Sequence, residues 1–329
     1  MTTTSSLVVL GAAGGVTALV SYASARYLST KFVKMGITGN DIHKPGRPLT
    51  AEMGGLSVLL GMLIGTSVVM IGSDDPMPPF LAGVVTVVGA SLVGVFDDIT
   101  AMRQRYKPFL VAVTAIPLMY VLWNRNSITV PLGGSLPLGI VYPLAVVPFA
   151  IVISSNFTNM LAGFNGLEAG CSTIALGALT FLAAVQGSYV AAGLGLILVC
   201  GFVGFLKLNW YPAKIFPGDT GTLMAGAGIA AIALLAGLEF AAIIVSIPAG
   251  IDFTLKMLAR KPFGGRRSFG NTTVDEGGHL KPPSYPALVH AFMRSGPVTE
   301  RGLVISVLGM EGVYAALAIA VTLLGWPLH

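Results

Sequence analysis

Charge is scarce in this sequence. Asp, Glu, Lys and Arg make up 10% of its 329 residues, against 54% hydrophobic residues. A soluble domain carries roughly a quarter charged residues, so an ordinary soluble fold is excluded. Intrinsic disorder needs low hydrophobicity and high net charge, and is excluded with it. Only two cysteines occur, Cys171 and Cys200, both inside apolar runs; they have neither the spacing of a zinc site nor the number of a disulfide framework. No basic residue precedes the first apolar run, and Arg26 follows it, an order expected of a retained helix and not of a cleaved signal peptide. A Walker lysine loop, His-Glu-x-x-His and Gly-x-Ser-x-Gly are all missing, which removes the chemistries that depend on them.

Long apolar runs are what the sequence has instead. A transmembrane helix takes about 20 mostly apolar residues, and ten runs qualify as candidates: 5–22, 53–71, 79–96, 109–123, 136–155, 167–185, 188–208, 221–236, 238–255 and 303–324. With a mean hydropathy of +0.82, the expected fold is all-α: a polytopic integral membrane protein of about ten spans forming a single domain over 1–329. The run 109–123 is short and contains Pro117, which predicts a tilt or kink. The longest connection, 256–301, mixes Gly, Pro, Arg and two histidines; 268–274 and 279–281, flanking 275–278, predict a small β-hairpin there.

The net charge of +5 and pI near 9.2 are compatible in principle with nucleic-acid binding. Their distribution argues otherwise. Counting from the first run, the odd-numbered connections and their span ends hold all 19 Lys and Arg except Arg125. Such a bias marks the cytoplasmic side of a membrane protein. It predicts odd connections in the cytoplasm and both termini outside, and leaves no basis for a nucleic-acid partner.

The chemistry-bearing residues gather on that same side. Asp97-Asp98 follows an apolar run, with Arg103, Arg105 and Lys107 close behind. Acid beside base suits a metal-bound phosphate, and equally suits a solvated helix end with a positive-inside anchor. Asn156 and Asn159 lie i,i+3 on one helix face, ahead of Asn165 and Glu168; neutral amide oxygens can ligate Mg²⁺, or can cap and hydrogen-bond between helices. Pro217-Gly218-Asp219-Thr220 opens the eighth run, where Asp219 or Thr220 is either a helix cap or a hard-metal ligand. Glu52 opens the second run, as a helix-start acid or a site residue. Arg266, Arg267 and His279 sit in the long connection; guanidinium groups suit diphosphate, and the bland reading is positive-inside charge. His43 and His290 lack metal-ligand spacing and read as surface residues. Asp252 and Glu311 are the two acids expected inside the membrane.

Taken in order, Asp97-Asp98 with Lys107, Asn159-Met-Leu-Ala-Gly-Phe-Asn165-Gly-Leu-Glu168, Asn209-Trp-Tyr-Pro with Phe216-Pro-Gly-Asp219-Thr, and Gly296-Pro-Val-Thr-Glu-Arg301 make a pattern covering most of the chain. It resembles the integral-membrane polyprenyl-phosphate N-acetylhexosamine-1-phosphate transferases, most closely the eukaryotic and archaeal dolichyl-phosphate N-acetylglucosamine-1-phosphate transferases. The resemblance implies transfer of a sugar 1-phosphate from a UDP-N-acetylhexosamine to a polyprenyl or dolichyl phosphate, with Mg²⁺ as cofactor and UMP as the second product. It implies Asn159 and Asp219 as metal ligands, with Asp97 and Asp98 shaping the site or assisting acceptor deprotonation. Lys107 would contact phosphate, Asn165 the uracil, and Glu52 would lie near the reacting phosphates. The arginine-rich loop would bind diphosphate, through Arg266 or Arg267, with His279 a further substrate-contact candidate. A cell membrane is implied, or the endoplasmic reticulum in a eukaryotic source, with a homodimer as a candidate assembly. Where the bacterial muramoyl-peptide branch carries two aspartates, this chain has Ala162 and Asn165, and that branch's histidine-rich motif is missing. Both departures point to a simple N-acetylhexosamine donor. A polytopic transporter is the alternative from another class, and a non-catalytic membrane scaffold a third.

Overall fold

The computed structural model describes residues 3–44, 46–73, 77–130, 134–161, 163–259 and 272–325. Helix α1 (Thr3–Met35) leads into a hairpin of β1 (Thr38–Asn40) and β2 (Leu49–Ala51), then α2 (Gly55–Ile71), α3 (Pro78–Thr100), α4 (Lys107–Thr114) and α5 (Ile116–Val121). A second hairpin, β3 (Ser127–Val130) with β4 (Gly134–Pro137), precedes α6 (Val147–Met160), α7 (Leu167–Val185), α8 (Tyr189–Asn209) and α9 (Gly218–Ala236). The chain continues through α10 (Glu239–Val245), α11 (Ile247–Ala259), a third hairpin of β5 (Thr273–Val274) and β6 (Leu280–Lys281), α12 (Leu288–Ser295) and α13 (Glu300–Gly325).

Among the described residues the regular structure is helical apart from three two-stranded hairpins, and the helices follow the apolar runs. Among the described residues seven helices are long and apolar enough to cross a membrane, eight if the bent pair α10–α11 is one span. The runs 53–71 and 109–123 form shorter apolar helices. Element ends differ from the hydropathy boundaries for local reasons. α1 runs on past residue 22 because Leu28 and Phe32 still pack on the core. The run 109–123 breaks at Ala115, two residues before Pro117, whose ring cannot supply the backbone donor an unbroken helix needs. The run 238–255 bends by 61° at Ser246, where Pro248 in the next turn imposes the same restriction. In the long connection, Thr273–Val274 and Leu280–Lys281 pair antiparallel around the turn at 275–278.

α9 is the most enclosed of the long helices, because its sequence is largely Gly and Ala. Small residues let backbones touch. A Cβ on Gly226 would stand 2.4 Å from the Ser154 carbonyl oxygen of α6, and one on Gly94 of α3 would stand 2.4 Å from the Asp219 carbonyl oxygen. α3 and α6 are thereby held directly against α9, and their polar ends meet at its N-terminus. A second apolar cluster joins α12 (Leu288, Val289, Met293) and α13 (Leu303, Val307) to Leu161 and Leu167 beside that same end.

Candidate active site

The first turn of α9 is held from another helix. Asp98, near the end of α3, accepts hydrogen bonds from Asp219 N (2.8 Å), Thr220 N (3.1 Å) and Thr220 Oγ1 (2.6 Å). These amides are among those that a helix N-terminus leaves unpaired. Neither Asp219 nor Thr220 supplies the capping carboxylate; Asp98 does, and this frees the Asp219 side chain to point elsewhere. Gly218 permits the arrangement, since its φ is +65° and a Cβ would lie 2.6 Å from Asp98 Oδ2. Asp98→Ala removes three charge-assisted bonds and is expected to cost about 3 kcal/mol. Thermal unfolding in detergent measures this; an unchanged midpoint would refute the capping role.

Asp219 instead faces Lys107, at the start of α4. The Lys107 ammonium lies 2.6 Å from Asp97 Oδ2 and also pairs with Asp219 Oδ2. It is nearly fully buried, and two carboxylates around one ammonium offset its desolvation. Asn159, in the last turn of α6, completes the cluster. With its amide nitrogen toward Asp219 it donates to Oδ1 at 2.9 Å and to Thr222 Oγ1 at 3.1 Å, while its oxygen accepts from Lys107 Nζ at 3.3 Å. Turned over, its oxygen accepts from Thr222 Oγ1 and faces the Asp219 carboxylate with no proton between them. A cation shared by the two oxygens would satisfy that side of the second orientation, in which the amide nitrogen is turned toward the Lys107 ammonium. An amide and a carboxylate oxygen are the hard donors Mg²⁺ takes, beside substrate phosphate oxygens, so these two residues fit the metal. Asn156 does not join them: its Nδ2 donates back to Val152 O of its own helix at 2.8 Å.

Beside this cluster lies a polar cavity of about 280 Å³, lined by Asn159, Asn165, Glu168 and Asp219 together with Asp41 and His43. His43 is buried and stacks on Phe164, ring centroids 4.4 Å apart and 12° between planes. Burial lowers its pKa to about 4, so it is neutral near pH 7. His290 is buried as well, with Nδ1 3.0 Å from Tyr285 O. Both histidines therefore correct the surface reading. Asn165 Oδ1 accepts from Lys44 Nζ at 2.8 Å and Ala213 N at 2.6 Å, its Nδ2 donates to Asp41 Oδ2 at 3.2 Å, and its backbone N donates to Glu300 Oε1 at 2.9 Å. Lys44 also pairs with Asp41 and, at 3.4 Å, with Glu300. Asp41, His43 and Glu300 could geometrically hold a metal ion, though the Lys44 ammonium already pairs with both carboxylates and offsets one of their two charges.

Glu52 is not among the residues that line the cavity. Phe216 N donates to Ala51 O, and Gly54 N and Gly55 N donate to Phe216 O and Pro217 O, each at 2.8 Å, which ties the Glu52 turn to the residues just before Asp219. Partial burial, and then the Asp98 charge, raise the Glu52 pKa. His279 is not brought into the cavity lining; it stays in its hairpin, Nδ1 3.5 Å from Asp275 Oδ1. Arg266 and Arg267 lie outside the described residues. Asp252 pairs with Lys256 at 2.7 Å and accepts from Leu288 N at 2.8 Å, and Lys256 also donates to Met160 O, next to Asn159. This carboxylate is thus an anchor for α12. The sequence reading places Asp41, Lys44 and Glu300 in no site and takes His43 for a surface residue. Glu300 stood inside the quoted block before the last run; the other three carried no motif that was recognised.

A second, apolar cavity of about 880 Å³ runs between α6 and the bent pair α10–α11, lined by Phe149, Ile153, Phe157, Ile243 and Ile251 among others. One helix serves both spaces: Phe157 faces the groove, and Asn159, two residues on, faces the polar cavity. At the other end of α9, about 24 Å from Asp219 at 1.5 Å per residue, Arg125 donates to Leu234 O and pairs with Glu239 at 3.0 Å. The one basic residue outside the dominant charge bias is therefore committed to an internal ion pair.

The description of glycosyl transferase family 4 matches residues 80–237, which hold Asp97, Asp98, Lys107, Asn159, Asn165 and Asp219. A Saccharolobus solfataricus protein provisionally named UDP-N-acetylglucosamine–dolichyl-phosphate N-acetylglucosaminephosphotransferase is 33% identical over 303 residues, 91% of this chain and 92% of its own. A Sulfolobus acidocaldarius protein with the same provisional name is 33% identical over 304 residues, 89% and 91% of the two chains. The phospho-N-acetylmuramoyl-pentapeptide-transferase of Anoxybacillus flavithermus is 35% identical over 209 residues, 60% of this chain and 64% of its own.

Proposed function

We propose, from the premise that this chain belongs to glycosyl transferase family 4, that it transfers N-acetylglucosamine 1-phosphate, or another N-acetylhexosamine 1-phosphate, from the UDP-sugar to a polyprenyl or dolichyl phosphate. The observation that carries this reading is a polar cavity and a long apolar groove on two faces of the same turn of α6, beside the cluster of Asp97, Lys107, Asn159 and Asp219. The donor is a soluble anion and the acceptor is held in lipid by its tail. A site serving both needs this combination. The groove suits the isoprenoid tail, and the cavity the nucleotide.

An acceptor phosphate oxygen attacks the β-phosphorus of the UDP-sugar. The new P–O bond forms as the bond from that phosphorus to the bridging oxygen breaks, and UMP leaves with the electron pair. Phosphomonoesters have a second pKa of about 6, so the acceptor is already ionised near neutral pH and needs no strong base. Mg²⁺ held by Asn159 and Asp219 would supply charge neutralisation at the donor diphosphate. Lys107 holds Asp97 and Asp219 in register and is the cation nearest the reacting phosphates. Asp98 fixes the turn that presents Asp219, Glu52 on the adjoining turn would lie near the reacting phosphates, and Asn165 faces the uracil. By the resemblance, Arg266 or Arg267 would take the diphosphate, and His279 is a further substrate-contact candidate. Phosphoryl transfer depends mostly on such positioning and neutralisation. The bias of Lys and Arg supports a cytoplasmic position for this end of the helices, with both termini outside. The carrier alternative loses one of its two intramembrane acids, because Asp252 is bound to Lys256 and α12.

Purified protein, given a panel of UDP-sugars and a short polyprenyl phosphate with and without Mg²⁺, is expected to release UMP with UDP-N-acetylglucosamine or a close relative, and to stop when Mg²⁺ is chelated. No UMP from any UDP-N-acetylhexosamine would overturn the reading.

A further inference from the structure

A partly buried lysine beside a polar cavity is ordinarily read as a phosphate contact. Lys44 does not fit that role. An ammonium has three donors, and those of Lys44 are directed at Asp41 Oδ2, Asn165 Oδ1 (2.8 Å) and Glu300 Oε2 (3.4 Å). Its remaining side lies over the Tyr211 ring, 4.7 Å from the centroid. The partners converge on one residue. Asn165 receives Lys44 at its amide oxygen, gives its amide nitrogen to Asp41 and gives its backbone N–H to Glu300, so each carboxylate that Lys44 pairs with also holds Asn165. Asp41 comes from the β1–β2 connection and Glu300 from the first turn of α13, 124 and 135 residues away in sequence. Each Asn165 amide has two N–H donors; Asp41 takes one, and the other is left for a ligand in the cavity.

We propose that Lys44, with Asp41 and Glu300, is a positioning residue for recognition of the nucleotide base: it sets the orientation in which Asn165 presents an N–H donor and makes no contact with phosphate. The inference rests on the nucleotide reading of the cavity. It also assigns a task to the start of α13, which anchors the base-recognition residue through Glu300.

Uridine and UMP separate the two roles, because they share the base and differ in the phosphate. In the full-length protein, K44M is expected to raise the inhibition constants of uridine and UMP together, by about tenfold, the value of one hydrogen bond to a well-oriented group. The KM for the UDP-sugar rises by the same factor, and kcat at saturating donor falls less than threefold. E300Q keeps an acceptor for the Asn165 backbone but weakens the pairing with Lys44; a smaller rise, again equal for the two ligands, is expected, and it serves as the test if K44M does not fold. A penalty confined to UMP would make Lys44 a phosphate contact and overturn the proposal, as would unchanged constants for both ligands. Wild-type protein that turns over but shows either result refutes the positioning role alone; wild-type protein that neither releases UMP nor is inhibited by it refutes the functional reading beneath it.

Discussion

Asp219→Asn is expected to lower turnover by about a thousandfold and to raise the Mg²⁺ concentration needed for half-maximal rate. The substitution keeps the shape of the side chain and the Asp98 cap, which grips the backbone N–H of residue 219 and not its side chain. It removes the one carboxylate that faces both Asn159 and Lys107. A neutral amide there is a weaker ligand for a hard dication, and losing a preorganised charge at a phosphoryl-transfer site costs about 10²–10³ in rate. Thermal stability should fall little, because the helix cap survives. Rates measured across a Mg²⁺ titration check this; normal turnover with normal Mg²⁺ dependence would remove Asp219 from the metal site.

Lys107→Met should be nearly as damaging to turnover, about a hundredfold or more, with the opposite effect on metal. Lys107 is the shared counter-ion of Asp97 and Asp219, and removing one partner of a buried ionic group leaves uncompensated charge worth about 3–5 kcal/mol. Two carboxylates without their ammonium attract a dication more strongly, so Mg²⁺ binding should hold or tighten while the rate collapses and the protein loses stability in Mg²⁺-free buffer. If Lys107→Met instead weakened Mg²⁺ binding as Asp219→Asn should, the division of labour between ligand and counter-ion would be wrong. Stability in the presence and absence of Mg²⁺, beside kcat for the two variants, separates the outcomes.

How much of the site could be read in the sequence differs from residue to residue. Asp97, Lys107, Asn159 and Asp219 were each legible because a polar group at the end of an apolar run is conspicuous, and they do converge. Asp98 was legible as a residue but not in its use, since nothing local shows that its oxygens reach a helix start 121 residues away. Asp41, His43 and Lys44 lie in a short polar connection, where such residues are unremarkable until the cavity encloses them. The Pro117 break was foreseeable from the missing backbone donor, whereas the 61° bend at Ser246 lay hidden in a run whose hydropathy is continuous.

Composition and the order of the apolar runs determined by themselves that this chain lives in a bilayer, where its helices begin and end to within a few turns, and, through its motifs, which chemistry to look for. These are properties of short stretches of chain, set by the cost of placing polar groups in hydrocarbon. Which carboxylate faces Lys107 and Asn159, which caps and which merely anchors was decided only when Gly94 and Gly226 let α3 and α6 close on the backbone of α9. Hydrogen bonds and ion pairs act over about 3 Å, and no linear pattern encodes which of several distant acids will come within that range of a given donor.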